Sequence, residues 1–168
     1  PDGPGPLCTH LVAAGQFTTT GSTPMNHIAE YNGHWVPIGL GVDGQIRSVI
    51  TWNRTANPAI PDHLVAGGIF TTTGGVTVNN IAEWDGVSWK ALGSGLVNTA
   101  GLTVVYDLKL WDPDGAGPLK PWVIAAGTFN TAGGVPVNNI AAWDGTVWRA
   151  LGAGTSGTVW KLTTWDPD

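Results

Sequence analysis

Apolar residues along this chain come in short runs, each closed by Gly, Pro, Thr, Asn or Asp. Leu11 to Phe17, Leu64 to Phe70 and Val123 to Phe129 are runs threaded with small residues and followed by Thr/Gly-rich turns. That is the pattern of a strand buried on both faces. Ile81-Ala82-Glu83-Trp84, Asp85-Gly86 and then Trp89 to Leu92 come next. Asp-Gly between two such runs predicts a tight hairpin, because the turn needs positive φ, which Asp and Gly reach at little cost. Asn32-Gly33 and Asp144-Gly145 repeat the device. A further run, Ile46 to Trp52, Val105 to Trp111 and Val159 to Trp165, has apolar residues in both parities of the alternation, so both of its faces are expected to be covered. No stretch sustains a 3.6-residue apolar period, and Gly or Pro interrupts every window long enough for a helix. The expectation is an all-β chain.

These runs recur as one unit. Residues 64–93 read LVAGGIFTTTGGVTVNNIAEWDGVSWKALG and residues 123–152 read VIAAGTFNTAGGVPVNNIAAWDGTVWRALG, a constant offset of 59 positions without a gap. Residues 11–39, LVAAGQFTTTGSTPMNHIAEYNGHWVPIG, repeat it again, one residue shorter before Trp35. Phe17 to Tyr31, Phe70 to Trp84 and Phe129 to Trp143 are each 14 apart, and a further Trp follows at Trp52, Trp111 and Trp165. Four short antiparallel strands in a unit of about 55 residues, apolar on both faces, match the blade of a β-propeller. A sandwich explains the strands and turns equally well, but gives no reason for the same aromatics to recur at nearly fixed spacing. Leucine-rich repeats and β-helices have shorter periods. Phe17, Phe70 and Phe129 are expected to be equivalent buried positions, as are Trp52, Trp111 and Trp165. Trp84, Trp89, Trp143 and Trp148 are expected between blades, whereas Trp122 and Trp160 break the pattern and are the tryptophans best suited to a ligand.

The units fall at approximately 1–44, 45–98 and 99–154, leaving 155–168 as the first strand of a further blade. Trp165-Asp166-Pro167-Asp168 matches Trp111-Asp112-Pro113-Asp114, and Pro1-Asp2-Gly3 matches Pro113-Asp114-Gly115. The given chain therefore begins and stops in the turn between a blade's first and second strands. Propellers typically have about 4 to 8 blades, so three are not expected to close a ring. The expected remedy is head-to-tail association, with Val159 to Trp165 of one copy completing the sheet of Leu11 to Ile38 of the next. A homodimer would make six blades, and a homotrimer nine.

Composition narrows the partners. Hydrophobic residues at 42% support a packed core, while charged residues reach only 11%, against about 25% in a typical soluble domain. With 25 Gly and 10 Trp, the picture is one of many turns between aromatic-rich strands. A net charge of −5 with seven scattered Lys and Arg offers no basic patch, so nucleic acid is not an expected partner. No apolar run approaches the roughly 18 to 20 residues that span a bilayer, and no membrane partner is expected. Nothing at the Pro1 end resembles a signal segment, which is either absent or part of a longer parent. The single Cys8 excludes an intrachain disulfide and a cysteine metal cluster. Asn53-Arg54-Thr55 fits the N-glycosylation pattern, of consequence only in a pathway that glycosylates.

Candidate chemistry is sparse. Asp112-Pro113-Asp114-Gly115 alternates carboxylates before a Gly, as a Ca²⁺ loop does, but Ala116 stands where a third ligand belongs and Val123 where an EF-hand has Glu. The expectation is a Pro-containing turn and no metal. His10, His27, His34 and His63 have no ligand spacing and are read as falling at different points of the repeat, solvated or locally hydrogen-bonded. Glu30 and Glu83 are equivalent positions, with Ala142 in the third unit, and are expected on the hairpin surface or in a strand-level hydrogen bond. No serine lies in a G-x-S-x-G elbow and no glycine run forms a phosphate loop. Unique polar residues on the first strands are Arg47, Asp107, Lys109 and Lys161, in no recognisable constellation. Neither catalytic residues nor a cofactor is expected.

The recurring G-x-F-x-T-x-G-G-x-x-x-N-N-I-A-x-W-D-G-x-x-W-x-x-L-G resembles the blades of kelch-type propellers, and is similar to the GGxF…NNIAxWDGxxW repeats of bacterial secreted propellers and of fungal cortical bud-site markers. Gly67-Gly68, Trp84 and Trp89 take the places of the kelch Gly-Gly, Tyr and Trp, Tyr31 keeps the Tyr, and Ala14-Gly15 and Ala126-Gly127 depart from Gly-Gly. The resemblance implies a scaffold located extracellularly or on the cell surface and implies no reaction. The expected function is a non-enzymatic structural or self-assembling module. The alternatives are a carbohydrate- or protein-binding propeller using its blade loops and, third, an enzyme with its site at the central channel.

Overall fold

A computed structural model describes residues 10–54, 62–115, 117 and 119–165. Every regular element in it is a strand. The first unit supplies β1 (Leu11–Ala14), β2 (Thr19–Thr20), β3 (Thr23–Pro24), β4 (Ile28–Tyr31) and β5 (Trp35–Pro37). The second supplies β6 (Gln45–Trp52), β7 (His63–Ile69), β8 (Thr72–Thr73), β9 (Val76–Thr77), β10 (Ile81–Trp84) and β11 (Trp89–Ala91). β12 (Leu96–Val97) closes the second unit, and the third supplies β13 (Val104–Trp111), β14 (Trp122–Thr128), β15 (Thr131–Ala132), β16 (Val135–Pro136), β17 (Ile140–Trp143) and β18 (Trp148–Ala150). Two antiparallel four-stranded sheets, β6-β7-β10-β11 and β13-β14-β17-β18, share one strand order, and the three-stranded β1-β4-β5 repeats their last three strands.

The repeated residues account for the repeated shapes. At each Asp-Gly hairpin the Asp carboxylate accepts the amides that close the turn: Asp85 Oδ1 takes Val87 N at 2.9 Å and Ser88 N at 2.7 Å, and Asp144 Oδ1 takes Thr146 N and Val147 N at 2.8 and 2.9 Å. The rings then pair across the hairpin, Trp84 with Trp89 and Trp143 with Trp148, at centroid distances of 5.6 and 5.5 Å. The Asn-Asn step is left-handed, with φ of 49° and 70° at Asn79 and Asn80, a region Asn tolerates better than most residues. Its side chains hold the chain leaving the sheet: Asn80 donates to Leu96 O at 3.0 Å and Asn139 to Thr155 O at 3.0 Å. The Thr/Gly stretches expected as simple turns are in fact small hairpins, β2-β3, β8-β9 and β15-β16, and β12 joins the last of these as a third strand.

The core lies between sheets. One cluster unites Ile28, Ile38 and Val42 with Ile46, Ala66, Phe70 and Trp89, and another unites Trp52, Val65 and Leu92 with Val105, Val123, Phe129 and Trp148. The junction carries a repeated hydrogen bond, Trp89 Nε1 to Ile38 O at 3.0 Å and Trp148 Nε1 to Leu92 O at 2.8 Å. A bulge near the start of the edge strand brings its backbone onto a glycine of the next strand. A Cβ on Gly68 would meet Gln45 O at 2.1 Å, and one on Gly127 would meet Val104 O at 1.9 Å, whereas the equivalent Gly15 has only Phe17 Cδ1 at 3.8 Å.

Two expected equivalences fail. Phe70 and Phe129 are buried but Phe17 is only half-buried, since no described sheet precedes its own. Trp52, Trp111 and Trp165 are 2%, 39% and 82% exposed. The reason is that the following unit covers this position: Trp52 Nε1 donates to Pro121 O at 2.9 Å, and its ring lies against Gly145. Residues 159–165, expected as a strand, form no ladder. They lie along the third unit, with Val159 N donating to Gly127 O at 3.2 Å, the counterpart of Ile46 N to Gly15 O at 3.1 Å. A strand needs a second backbone to pair with, and no described strand lies there.

Candidate functional site

The edge strands β6 and β13 and the segment 159–165 lie in succession, and their bulges decide which side chains they present. Pairing slips between Ile46 and Ser48 and between Val105 and Asp107, leaving Arg47 and Tyr106 as the extra residues, and a bulge re-aims such a side chain out of the alternation. Trp160 stands at the same place in the segment that follows the third unit. The three form a strip: the Arg47 guanidinium lies 5.9 Å from the Tyr106 ring centroid, and the Tyr106 and Trp160 rings are 4.3 Å apart at 42°.

Behind the strip, each strand grips the next. Ser48 Oγ accepts Leu108 N at 3.1 Å and donates to Asp107 Oδ1 at 3.3 Å, and Asp107 Oδ2 accepts Leu162 N at 2.9 Å. Lys161 Nζ is 3.6 Å from Asp107 Oδ1. Of the four unique polar residues expected on these strands, the fold thus brings Asp107 and Lys161 together with Arg47 nearby. Lys109 instead lines a groove of about 370 Å³ with Trp111, Ile124, Leu151, Leu162 and Trp165. Both Asp107 oxygens are held by the scaffold. Tyr106 and Ser48 were not among the expected residues. The signal for Tyr106 was its alignment with Arg47 and Trp160 at one repeat position.

A second cluster corrects the reading of the histidines. His10 and His63 both precede Leu-Val-Ala and are equivalent, and each meets the equivalent Glu: His10 Nδ1 is 2.6 Å from Glu30 and His63 Nδ1 2.5 Å from the buried Glu83. Arg54 adds a contact to Glu83 at 3.5 Å. Trp122 and Ala142 take these places in the third unit, with the Arg149 guanidinium 5.7 Å over the Trp122 ring. The Trp122 ring also meets Trp111 edge-on at 6.0 Å. His27, at the second position of the Asn-Asn step, has φ of 75° and a buried Nδ1 without a partner among the described residues.

Asp112 and Asp114 turn back on their own loop: Asp112 Oδ1 accepts Asp114 N at 3.3 Å, and Asp114 Oδ2 accepts Leu119 N at 3.1 Å. Among the described residues no three His, Cys, Asp or Glu gather as a metal site would require. Cys8, Thr55 and Ala116 lie outside the described residues. Three carboxylates are held below their ordinary value, Asp85 by the Lys90 ammonium and the amides of Ser88 and Val87. Burial works against the charge of Asp43, but hydrogen bonds from the amides and hydroxyls of Thr72 and Thr71 outweigh it and hold its pKa at about 2. Burial likewise opposes the Asp144 charge, and bonds from Val147, Thr146 and Arg149 bring it to about 2. No helix of the described chain is long and apolar enough to cross a membrane.

Neither a family model, nor a curated protein, nor a solved structure matches this chain.

Proposed function

We propose that the chain is a non-enzymatic scaffold of kelch-like propeller blades whose two end faces take up equivalent units. The observation that carries this reading is a junction used twice, with its two unmatched halves at opposite ends. Ile38 O and Leu92 O each accept a glycine amide and a tryptophan Nε1. Leu151 O, the third equivalent, accepts Gly154 N alone among the described residues, and Trp35, the equivalent of Trp89 and Trp148, makes no such bond among them. Trp165 is uncovered at the same end as Leu151, in the groove that both line.

A further unit of a longer polypeptide or a second copy would fill these faces alike, and for the 168-residue chain alone the partner is a second copy. Residues 159–165 would then enter the sheet of β1, β4 and β5 as its missing strand. Two copies make a six-bladed ring, our preferred assembly, and three make nine blades. The resemblance of the repeats to those of secreted propellers supports a location outside the cell or on its surface. Deleting Thr155 to Asp168 should convert a discrete oligomer into a monomer by light scattering, and a truncated chain of unchanged mass would refute the shared blade.

A further inference from the structure

The strip at the bulges has chemistry that the scaffold does not use. The residues flanking it, Ile46, Val105, Leu108 and Val159, serve the core or lie half-buried beside it, yet the strip itself carries a guanidinium, a phenol ring and an indole in succession. Trp160 is 62% exposed, although one side of its ring rests against Tyr106. A flat apolar surface backed by a second ring and open on its other side presents contact area at little cost in conformational entropy. Arg47, at the other end, is exposed and makes no ion pair among the described residues. Asp107 does not neutralise it, because that carboxylate is taken by Ser48, the Leu162 amide and Lys161.

We infer that Arg47, Tyr106 and Trp160 form a binding strip for a short acidic oligosaccharide. A pyranose lays its C–H face on Trp160, and the carboxylate of a uronic acid ring reaches the Arg47 fork, which matches a planar carboxylate in two parallel hydrogen bonds. A long polyanion such as nucleic acid suits the strip poorly, since the chain's net charge of −5 opposes it outside this patch. All three residues belong to one copy, so the strip is complete without any association of chains.

The test is calorimetric titration of the intact chain with a glucuronate tetramer and with cellotetraose, its neutral counterpart. The glucuronate tetramer should bind and should bind more tightly than cellotetraose. Trp160→Ala should weaken binding about tenfold or more, the loss typical of an anchoring aromatic. Arg47→Leu, a change at an exposed side chain that leaves the fold intact, should bring the glucuronate tetramer down to the level of cellotetraose. Heat from neither sugar, equal affinity of the unaltered chain for the two sugars, or undiminished binding by Trp160→Ala would each overturn the inference. Light scattering on Arg47→Leu separates this from the scaffold reading: lost sugar preference at unchanged mass concerns the strip, and sugar binding by a chain that never oligomerises leaves the strip standing while the assembly falls.

Discussion

Trp52 and Trp165 hold the same place in their repeats, yet one is sealed under the next unit and the other stands in solvent. The same contrast runs through Phe129 and Phe17, and through Gly127 and Gly15, where a glycine demanded by a neighbouring carbonyl in one unit has open space in the other. Identical sequence thus meets different surroundings according to whether a sheet follows or precedes it. A repeat's residues specify half of a junction, and the second half comes from the neighbouring unit.

The largest effects should separate interior from end. Phe129→Ala, in the cluster between the second and third sheets, should cost about 3 to 5 kcal/mol in denaturant titration, as large-to-small core changes do. Phe17→Ala, half-buried, should cost roughly 1 to 2 kcal/mol in the unassociated chain. Equal costs would erase the distinction on which the comparison rests.

Acid should act unevenly on the junctions. Asp43 grips Thr71 and Thr72 of the following unit, while Val97 and Ser156 occupy its place at the other two. Its folded pKa of about 2 lies below the ordinary value, so its contribution is present above about pH 4 and is lost as pH falls through about 2. Asp144 follows the same course from within its hairpin. Melting followed by circular dichroism should therefore show stability falling between about pH 4 and 2, with Asp43→Asn reducing the fall. A variant with an unaltered acid limb would remove Asp43 from the account.

The smallest expected effect is a gain. His27→Asn would restore the residue found at Asn80 and Asn139, suit the left-handed backbone and remove the unpartnered Nδ1. The new amide would reach Val42 O, the equivalent of Leu96 O and Thr155 O, and should add about 1 kcal/mol. A neutral or destabilising result in the same titration would show that the first unit's turn differs from the other two.

Much of this was legible in the residues alone. The hairpins at Asp85-Gly86 and Asp144-Gly145 and the strand order follow from turn chemistry and a constant offset. Exposure was less legible, because Trp111 and Trp165 read like Trp52 until the presence of a following sheet is known. The His10–Glu30 and His63–Glu83 pairs were hidden by treating the histidines as four scattered residues when two share one repeat position. The strip escaped for another reason: a bulge decides where Arg47 and Tyr106 point, and alternation along a strand cannot foresee it.

The claim that the end faces are two halves of one junction is tested most directly at Gly15. If residues 159–165 of a second copy complete the first sheet, the carbonyl of Thr158 comes to Gly15 as Gln45 O comes to Gly68 and Val104 O to Gly127. An alanine there has room within a single chain and none in the assembly. By light scattering the unaltered chain should show about twice the 17.4 kDa of one copy, or three times in the nine-bladed form, and Gly15→Ala should show a folded species of 17.4 kDa. An unaltered chain that is itself monomeric, or a Gly15→Ala chain of the same mass as the unaltered oligomer, would contradict the account.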